Sequence, residues 1–231
     1  MVKSLIFYLI LFFWTVFLGV LFIPMLFIPK KYLYRPAYFW IGGVFVLLES
    51  ICQITYDVKG QEYINNSQAK IIASKHQSAF ETLLLFYLIP KATFIHKYEL
   101  FLIPIFGLYL KKINMVSINR SKGHKSLKKM LSDSKEKISK GFTLIIFPEG
   151  TRKQPGEKTD YKSGVAGIYK ELDTDVIPVA VNSGLFWSKK SLHIKPGKII
   201  LEFLPPIHRG LEKEDFLNKL ENSIEDRMKE I

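Results

Sequence analysis

The stretch Ala73-Ser74-Lys75-His76-Gln77-Ser78-Ala79-Phe80-Glu81-Thr82 decides how the chain is read. The β-rich run Lys70–Ser74 precedes it and the apolar run Leu83-Leu84-Leu85 follows it. A buried strand that passes through a short polar turn into a helix is half of a parallel β-α unit. In such sheets, ligand sites lie beyond the carboxyl ends of the strands. His76 falls at that position, where a side chain suited to proton transfer has access to a ligand. On a continuous helix, residues five apart point about 140° away from each other. His76 and Glu81 can therefore meet only if His76 lies in the turn and the helix begins after it. With Ser78 as N-cap, Glu81 becomes the third helical residue and its carboxylate can reach back over the helix start. Held that way, an imidazole has a fixed tautomer and a stabilised charged form. The same Ser78-Ala79-Phe80-Glu81 also fits the S-x-x-E capping box, which needs no chemistry. One carboxylate can serve both purposes, and the residues alone leave both open.

Outward from this unit, strands and helices alternate. Candidate strands are Lys70–Ser74, Ala92–Ile95, Asn114–Ile118, Thr143–Phe147, Val176–Val181 and Lys198–Phe203. Candidate helices are Ala79–Leu88, Leu100–Leu110 (kinked or started by Pro104), His124–Ser139, Gly164–Leu172 and Lys213–Lys229. The alternation predicts the α/β class, with a mostly parallel central sheet flanked by helices on both faces. A second polar cluster again sits just past a strand, where Thr143–Phe147 runs into Pro148-Glu149-Gly150-Thr151-Arg152. Gly150 permits close backbone approach, and the Arg152 fork can hold a phosphate at two points. A plain surface turn with a solvated arginine fits these residues equally well.

Ser4 to Pro29 carry no charge, a length beyond the roughly 20 residues a helix needs to cross a bilayer core. No small-residue cleavage site follows, so the segment reads as a retained membrane helix. Lys30, Lys31 and Arg35, with Tyr32, Tyr34, Tyr38 and Trp40, form an interface anchor. A second apolar run, Ala37–Ile54, contains Glu49, which costs roughly 2.5–3.5 kcal/mol at mid-membrane. The positive-inside rule puts Lys30–Arg35 in the cytosol. Two full crossings would then leave the rest of the chain outside. A shallow hairpin or an interfacial second helix keeps it in the cytosol. The expected division is a membrane-anchoring helical segment, 1–57, and a catalytic domain, 58–231, on the cytoplasmic side of a cell inner membrane.

The 33 Lys and Arg against 21 Asp and Glu give a formal charge of +12, which favours anionic partners. The basic residues are spread along the chain and no DNA or RNA motif occurs, so nucleic acid is set aside in favour of an anionic lipid surface. The single cysteine, Cys52, lies in an apolar run and is assigned to the core; no disulfide framework is possible. His96, His124, His193 and His208 have no evident partners and are read as surface or structural. No metal-ligand spacing is found.

The two polar clusters also carry a resemblance. The H-x4-E block at His76 and the Phe147-Pro148-Glu149-Gly150-Thr151-Arg152 block resemble those of the glycerolipid acyltransferase family, and within it the 1-acylglycerol-3-phosphate acyltransferases. Further blocks are similar in order: Lys97-Tyr98-Glu99-Leu100, Ser117-Ile118-Asn119-Arg120, Tyr161-Lys162-Ser163-Gly164-Val165-Ala166 and Ile177-Pro178-Val179-Ala180-Val181-Asn182. Two positions depart from the family pattern. Glu81 stands where the family usually has Asp, and Asn119 where an acidic residue is common.

The resemblance implies an αβα catalytic domain and a reaction. An acyl thioester, on CoA or acyl carrier protein, would donate to a lysophospholipid acceptor held in a membrane. The acceptor would be 1-acyl-glycerol-3-phosphate, acylated at its sn-2 hydroxyl to give phosphatidic acid. His76 would be the general base, oriented by Glu81. Lys97 and Arg152 would bind the acceptor phosphate, with Arg120 a further candidate. Glu149 would orient these cations, and Gly150 and Thr151 would line the same loop, an amide near Gly150 serving the oxyanion. No cofactor and no metal are implied. Another lysolipid acceptor, such as lyso-ornithine lipid or lysophosphatidylglycerol, would need the same residues. A non-catalytic basic membrane-surface protein would need none of them.

Overall fold

The computed structural model describes residues 1–65, 70–119, 123–157 and 160–231. Arg120, one of the expected anion-binding residues, lies outside them, as does the side chain of His124.

Among the described residues the chain forms β1 (Ile54–Lys59), β2 (Ile71–Ser74), β3 (Ala92–Lys97), β4 (Val116–Ile118), β5 (Thr143–Ile146), β6 (Val176–Val181) and β7 (Gly197–Phe203). They make one sheet in the order β1-β7-β6-β2-β5-β3-β4. The run from β6 to β4 is parallel, whereas β7 is antiparallel to β6 and parallel to β1. The mostly parallel α/β architecture is as expected from the alternation of elements. β1 was not anticipated. The sequence reading placed Ile54 in the preceding apolar run, and β1 extends across the expected division between residues 57 and 58. Ile54, Tyr56 and Val58 do alternate with polar residues, which is a strand signal. It was hidden because the helix before it ends without glycine or proline: Gln53 takes the left-handed C-terminal position itself, at φ 57°.

Side chains on successive strand residues point to opposite faces, and this alternation splits the core in two. Ile72, Ile145, Ile177 and Val179 face one layer, formed by α1 (Val2–Leu21), α2 (Tyr34–Cys52) and α4 (Phe80–Leu88). Ile71, Leu144, Ile146 and Val176 face the other, formed by α6 (Gly123–Ser139), α7 (Ser163–Leu172) and α8 (Lys213–Met228). Cys52 is buried in the first layer. The short helices α3 (Gln61–Asn65) and α5 (Phe106–Lys112) complete the set.

The uncharged run Ser4–Pro29 is not one helix. α1 stops at Leu21, since Pro24 has no N–H to donate and its ring blocks the preceding turn. The chain continues through 3-10 turns at Ile23–Phe27 and Lys30–Tyr32. Among the described residues α1 is the one helix long and apolar enough to cross a membrane. It is nevertheless docked on the domain near both ends. Ser4 Oγ accepts the Ile194 N–H at 3.0 Å, and the Tyr109 hydroxyl donates to the Gly19 carbonyl at 2.9 Å. α2 packs closely beside it: a Cβ on Gly43 would meet the Trp14 ring at 2.5 Å, so only glycine permits this approach.

The expected helix Leu100–Leu110 is divided into a 3-10 turn, Tyr98–Leu102, and α5. Pro104 separates them, and Ile105 sits at φ 62°, ψ −59°. With the Phe106 N–H 2.6 Å from the Pro104 carbonyl oxygen, this is a γ-turn of the rare positive-φ kind. Such a conformation costs a β-branched residue on the order of 1–3 kcal/mol.

Candidate active site

The site is assembled at the carboxyl ends of the parallel strands. β2 leads into the turn carrying His76, β5 into Phe147–Arg152, β6 into the 3-10 turn Ser183–Leu185, and β3 ends at Lys97.

Glu81, fully buried, organises the first turn. Its Oε1 lies 2.8 Å from His76 Nδ1 and accepts the backbone N–H groups of Gln77 at 2.7 Å and Ser78 at 2.8 Å. Its Oε2 accepts the hydroxyls of Ser78 at 3.1 Å and Ser183 at 2.6 Å. Burial opposes ionisation most strongly. The hydrogen bond and charge of His76, with the hydrogen bonds of the Ser183 hydroxyl and the Ser78 backbone, outweigh it and hold the carboxyl below its usual range. An ionised carboxylate only accepts, so Nδ1 carries a proton facing it, and in the neutral form of the ring the lone pair is on Nε2. The ring stacks on Phe147, with centroids 3.8 Å apart and planes 13° from parallel. The His76 side chain keeps 13 % of its surface exposed. This geometry presents an oriented imidazole, Nε2 outward, to solvent.

The capping contacts coexist with the histidine contact, one residue later than expected. α4 begins at Phe80 with Ala79 as its N-cap. Ser78 Oγ accepts the Phe80 N–H at 2.9 Å and so caps the first turn, while Glu81 takes the Ser78 N–H in return.

Glu149 joins the two turns. Its Oε2 accepts the His76 N–H at 2.8 Å, and its Oε1 lies 2.9 Å from the Lys75 ammonium. Lys75, itself buried, also reaches Glu225 Oε1 on α8 at 2.6 Å, and the Tyr161 hydroxyl donates to that same oxygen at 3.0 Å. Burial pushes the Glu149 carboxyl up to about 7, against the pull of Lys75. The expectation that Glu149 orients Lys97 and Arg152 is therefore corrected: the cation it holds is Lys75. Both oxygens of this buried carboxylate are engaged, one by Lys75 and one by the His76 N–H.

Gly150 lies at φ 67° and donates its N–H to the Phe147 carbonyl at 2.9 Å, closing the turn; that amide is committed to the backbone. Thr151 and Arg152 follow, half-buried, and Lys97 is exposed. Among the described residues, neither the Arg152 guanidinium nor the Lys97 ammonium has a hydrogen bond or ion pair. Both are thus free to take an anion.

Several residues in the site went unnoticed in the sequence. Ser183 adds the shortest bond to Glu81, Gln77 accepts the Gly184 N–H at 3.0 Å, and Lys75 is the buried cation. Ser183 directly follows the block ending at Asn182, and its position past a strand end was the available signal. His208 also has a partner the sequence did not suggest, with Nδ1 2.9 Å from Asp175 Oδ2. His96 Nδ1 lies 2.8 Å from the Lys97 carbonyl oxygen. Neither is part of the site. Among the described residues no cluster of three or more His, Cys, Asp or Glu is placed to hold a metal. A groove of about 480 Å³ at α1 and α2, lined by Trp14, Phe39, Gly43 and Tyr87 among others, includes none of the site residues.

Comparison with known proteins gives this geometry a context. A family model described as "Acyltransferase" matches residues 55–182. A 1-acyl-sn-glycerol-3-phosphate acyltransferase of Pseudomonas aeruginosa is 31% identical over 169 residues, covering 73% of this chain and 65% of that protein. One from Cocos nucifera is 31% identical over 163 residues, covering 70% and 52%. The chain thus spans less than two thirds of the length of these curated relatives. The crystal structure of the 1-acyl-sn-glycerophosphate acyltransferase PlsC from Thermotoga maritima superposes with a TM-score of 0.79 at 24% identity, covering all of this chain and 96% of that one. It has the same fold.

Proposed function

This chain belongs to the acyltransferase family, and on that premise we propose that it moves a fatty acyl group from acyl-CoA or acyl carrier protein to the sn-2 hydroxyl of 1-acyl-glycerol-3-phosphate, giving phosphatidic acid. The observation that carries the reading is the 2.8 Å contact of His76 Nδ1 with ionised Glu81, which leaves Nε2 as a base. The acceptor hydroxyl gives its proton to Nε2 as its oxygen attacks the thioester carbonyl. The resulting tetrahedral intermediate expels the thiolate, and the imidazolium returns the proton to that sulfur. Glu81 stabilises the imidazolium between these steps. A positioned base of this kind contributes about 10²–10⁴-fold. Lys97 and Arg152 hold the acceptor phosphate, the latter through its planar fork, and Arg120 is assigned to the same anion.

The acceptor is a bilayer lipid, so the enzyme works at a membrane surface. The chain up to the end of α2 is its anchoring part, and the sheet from β1 onward its catalytic part, on the cytoplasmic side of a cell inner membrane. The docking of α1 bears on how it anchors. Ser4 and Gly19 are about 22 Å apart along a helix, yet both touch the domain. A helix crossing the bilayer would require domain residues on both sides of it. α1 therefore lies along the interface, with its exposed residues in the lipid.

The test is incubation of the purified full chain with labelled 1-acyl-glycerol-3-phosphate and either donor, followed by lipid chromatography. Labelled phosphatidic acid should appear, and His76→Ala should abolish it while the variant remains folded, as judged by its circular dichroism. Equal product from His76→Ala removes the base assignment. Absence of product with both donors, while lyso-ornithine lipid or lysophosphatidylglycerol is acylated, moves the acceptor assignment to that lipid.

A further inference from the structure

The stretch Tyr98–Leu108 has one charged residue, Glu99. It projects apolar side chains on a scale unusual for a loop in water. Leu102 is 66% exposed and Leu108 53%. Tyr98, Leu100, Ile103 and Phe106 are exposed as well. Soluble surfaces carry scattered apolar residues, but a contiguous group marks a contact with another phase or partner.

Three observations indicate what covers it. First, the patch continues the apolar surface of α1. Ile105 Cγ2 lies 3.5 Å from where a Cβ on Gly19 would stand, and Tyr109 is bonded to the Gly19 carbonyl. Val20 and Leu21 at the end of α1, and Ile23 and Phe27 in the 3-10 turn that follows it, are themselves exposed. Second, the stretch is folded closely on itself. A Cβ on Gly107 would fall 2.2 Å from the Phe101 carbonyl oxygen, and the Gly107 N–H donates to the Ile103 carbonyl at 2.8 Å. The apolar groups are therefore displayed by a folded element. Third, cations flank it. Lys97 precedes it, Lys111 lies over the Phe101 ring at 5.6 Å, and Lys30 bonds Asn114 Oδ1 at 2.8 Å from the neighbouring turn. An apolar centre with a basic and aromatic margin matches an anionic bilayer, with chains under the centre and phosphates at the rim.

We propose that Tyr98–Leu108 is a second lipid-inserting element, seated beside α1 in an anionic phospholipid bilayer and holding Lys97 at the level of the headgroups. This rests on the membrane-surface part of the function proposed above. It adds that the domain itself, through the segment next to the phosphate-binding lysine, enters the bilayer. The enzyme then meets its acceptor in place, without lifting the lipid out into water.

Nitroxide labels on the whole chain of 231 residues test this, because Cys52 is buried and introduced surface cysteines react selectively. Leu102→Cys and Leu108→Cys report on the element, Phe13→Cys on α1 and Lys219→Cys on the opposite helical layer. Each is read by its collisions with oxygen and with a water-soluble nickel chelate. The measurement is made with and without vesicles of phosphatidylethanolamine and phosphatidylglycerol. Labels at 102 and 108 should become shielded from nickel and accessible to oxygen on adding vesicles, as at 13, while 219 stays in water. If 13 is shielded and 102 and 108 remain like 219, the second element is refuted and the anchoring by α1 stands. If 13 also stays in water, the membrane reading fails and takes the element with it. Shielding at 102 and 108 without vesicles that grows with protein concentration, or that needs acyl carrier protein, assigns the patch to a protein contact and overturns the proposal.

Discussion

Glu81 Oε1 and His76 Nδ1 lie 2.8 Å apart although their side chains would diverge on a continuous helix. The turn before α4 brings them together. The same oxygen takes the two backbone N–H groups of that turn, from Gln77 and Ser78, so the bonds that shape the helix start also fix the carboxylate beneath the imidazole. Capping and orientation are here two uses of one group, and the wider role of Glu81 can be separated from its cap by substitution.

Glu81→Gln keeps an oxygen for the turn amides and can donate from its nitrogen towards the serine hydroxyls, but it removes the charge that stabilises the imidazolium. Turnover of labelled 1-acyl-glycerol-3-phosphate should fall about 10²–10⁴-fold, with a stability loss of only about 1–3 kcal/mol. Glu81→Asp, one methylene shorter, should retain part of the activity because the charge remains. Acid unfolding gives a second readout. The depressed carboxyl contributes stability above its ordinary range and loses it as pH falls through the lowered value. Melting temperature should decline less steeply in acid for Glu81→Gln than for the wild type. A variant that only melts earlier, at full turnover, would reduce Glu81 to a cap.

Ser183→Ala leaves Glu81 Oε2 with the Ser78 hydroxyl alone. A hydrogen bond to a charged group is worth roughly 1.5–3 kcal/mol, and the site is closed to water at Ser183. The variant should lose about that much stability in denaturant unfolding. The acid-side loss in its profile of stability against pH should begin at higher pH, since the Glu81 carboxylate ionises less readily without that bond. An unchanged profile would confine Ser183 to packing.

The sheet, the layer of α6, α7 and α8 and the placement of His76 and Glu149 past strand ends were legible because the apolar runs alternate cleanly and polar clusters interrupt them at the same phase; the part of α1 and α2 in the other layer was not, since their apolar length reads as membrane anchor. β1 was hidden because its helix ends on Gln53 without the usual stop residue. The break inside Tyr98–Lys112 was visible as Pro104, but the γ-turn at Ile105 was not, since nothing local favours positive φ in isoleucine. The role of Lys75 could not be read from the sequence. It depends on Glu149 and on Glu225 of the last helix, brought to one ammonium only by the packed fold.

Arg152→Ala tests the phosphate assignment. Loss of a charge-assisted bond should raise the apparent KM for 1-acyl-glycerol-3-phosphate about 10- to 100-fold and leave the donor KM nearly unchanged. Arg152→Lys should recover part of the effect, as a point charge lacks the two-point fork. A change confined to the donor KM would place Arg152 on the wrong substrate.

Glu149 sets a pH dependence of opposite sign to that of Glu81. Its carboxyl is raised from an ordinary value of 4.5 to about 7, so between those values the folded chain holds a proton that the unfolded chain releases. Stability from this group is full below the ordinary value and is lost as pH rises towards 7, by up to about 3 kcal/mol. Glu149→Gln still accepts the His76 N–H and should abolish that slope in melting curves between pH 4.5 and 7. Retention of the slope would assign it to another group.

Lys75 and Glu149 are coupled through their charge, and a double-mutant cycle should expose this. Lys75→Met removes the ammonium 2.9 Å from Glu149 Oε1 and leaves a buried carboxyl without its counter-ion. Breaking one side of such a pair costs roughly 3–5 kcal/mol, less here because Glu149 can take up a proton. Adding Glu149→Gln to Lys75→Met replaces that carboxyl by a neutral group that keeps the bond to the His76 backbone, so the double variant should be more stable than Lys75→Met alone. Turnover separates position from charge: if Lys75 acts by fixing the two turns together, Lys75→Met should lower kcat with little change in either KM, and the double variant should recover part of it. Losses that simply add in both stability and kcat would mean the ammonium and the carboxylate do not act as a pair.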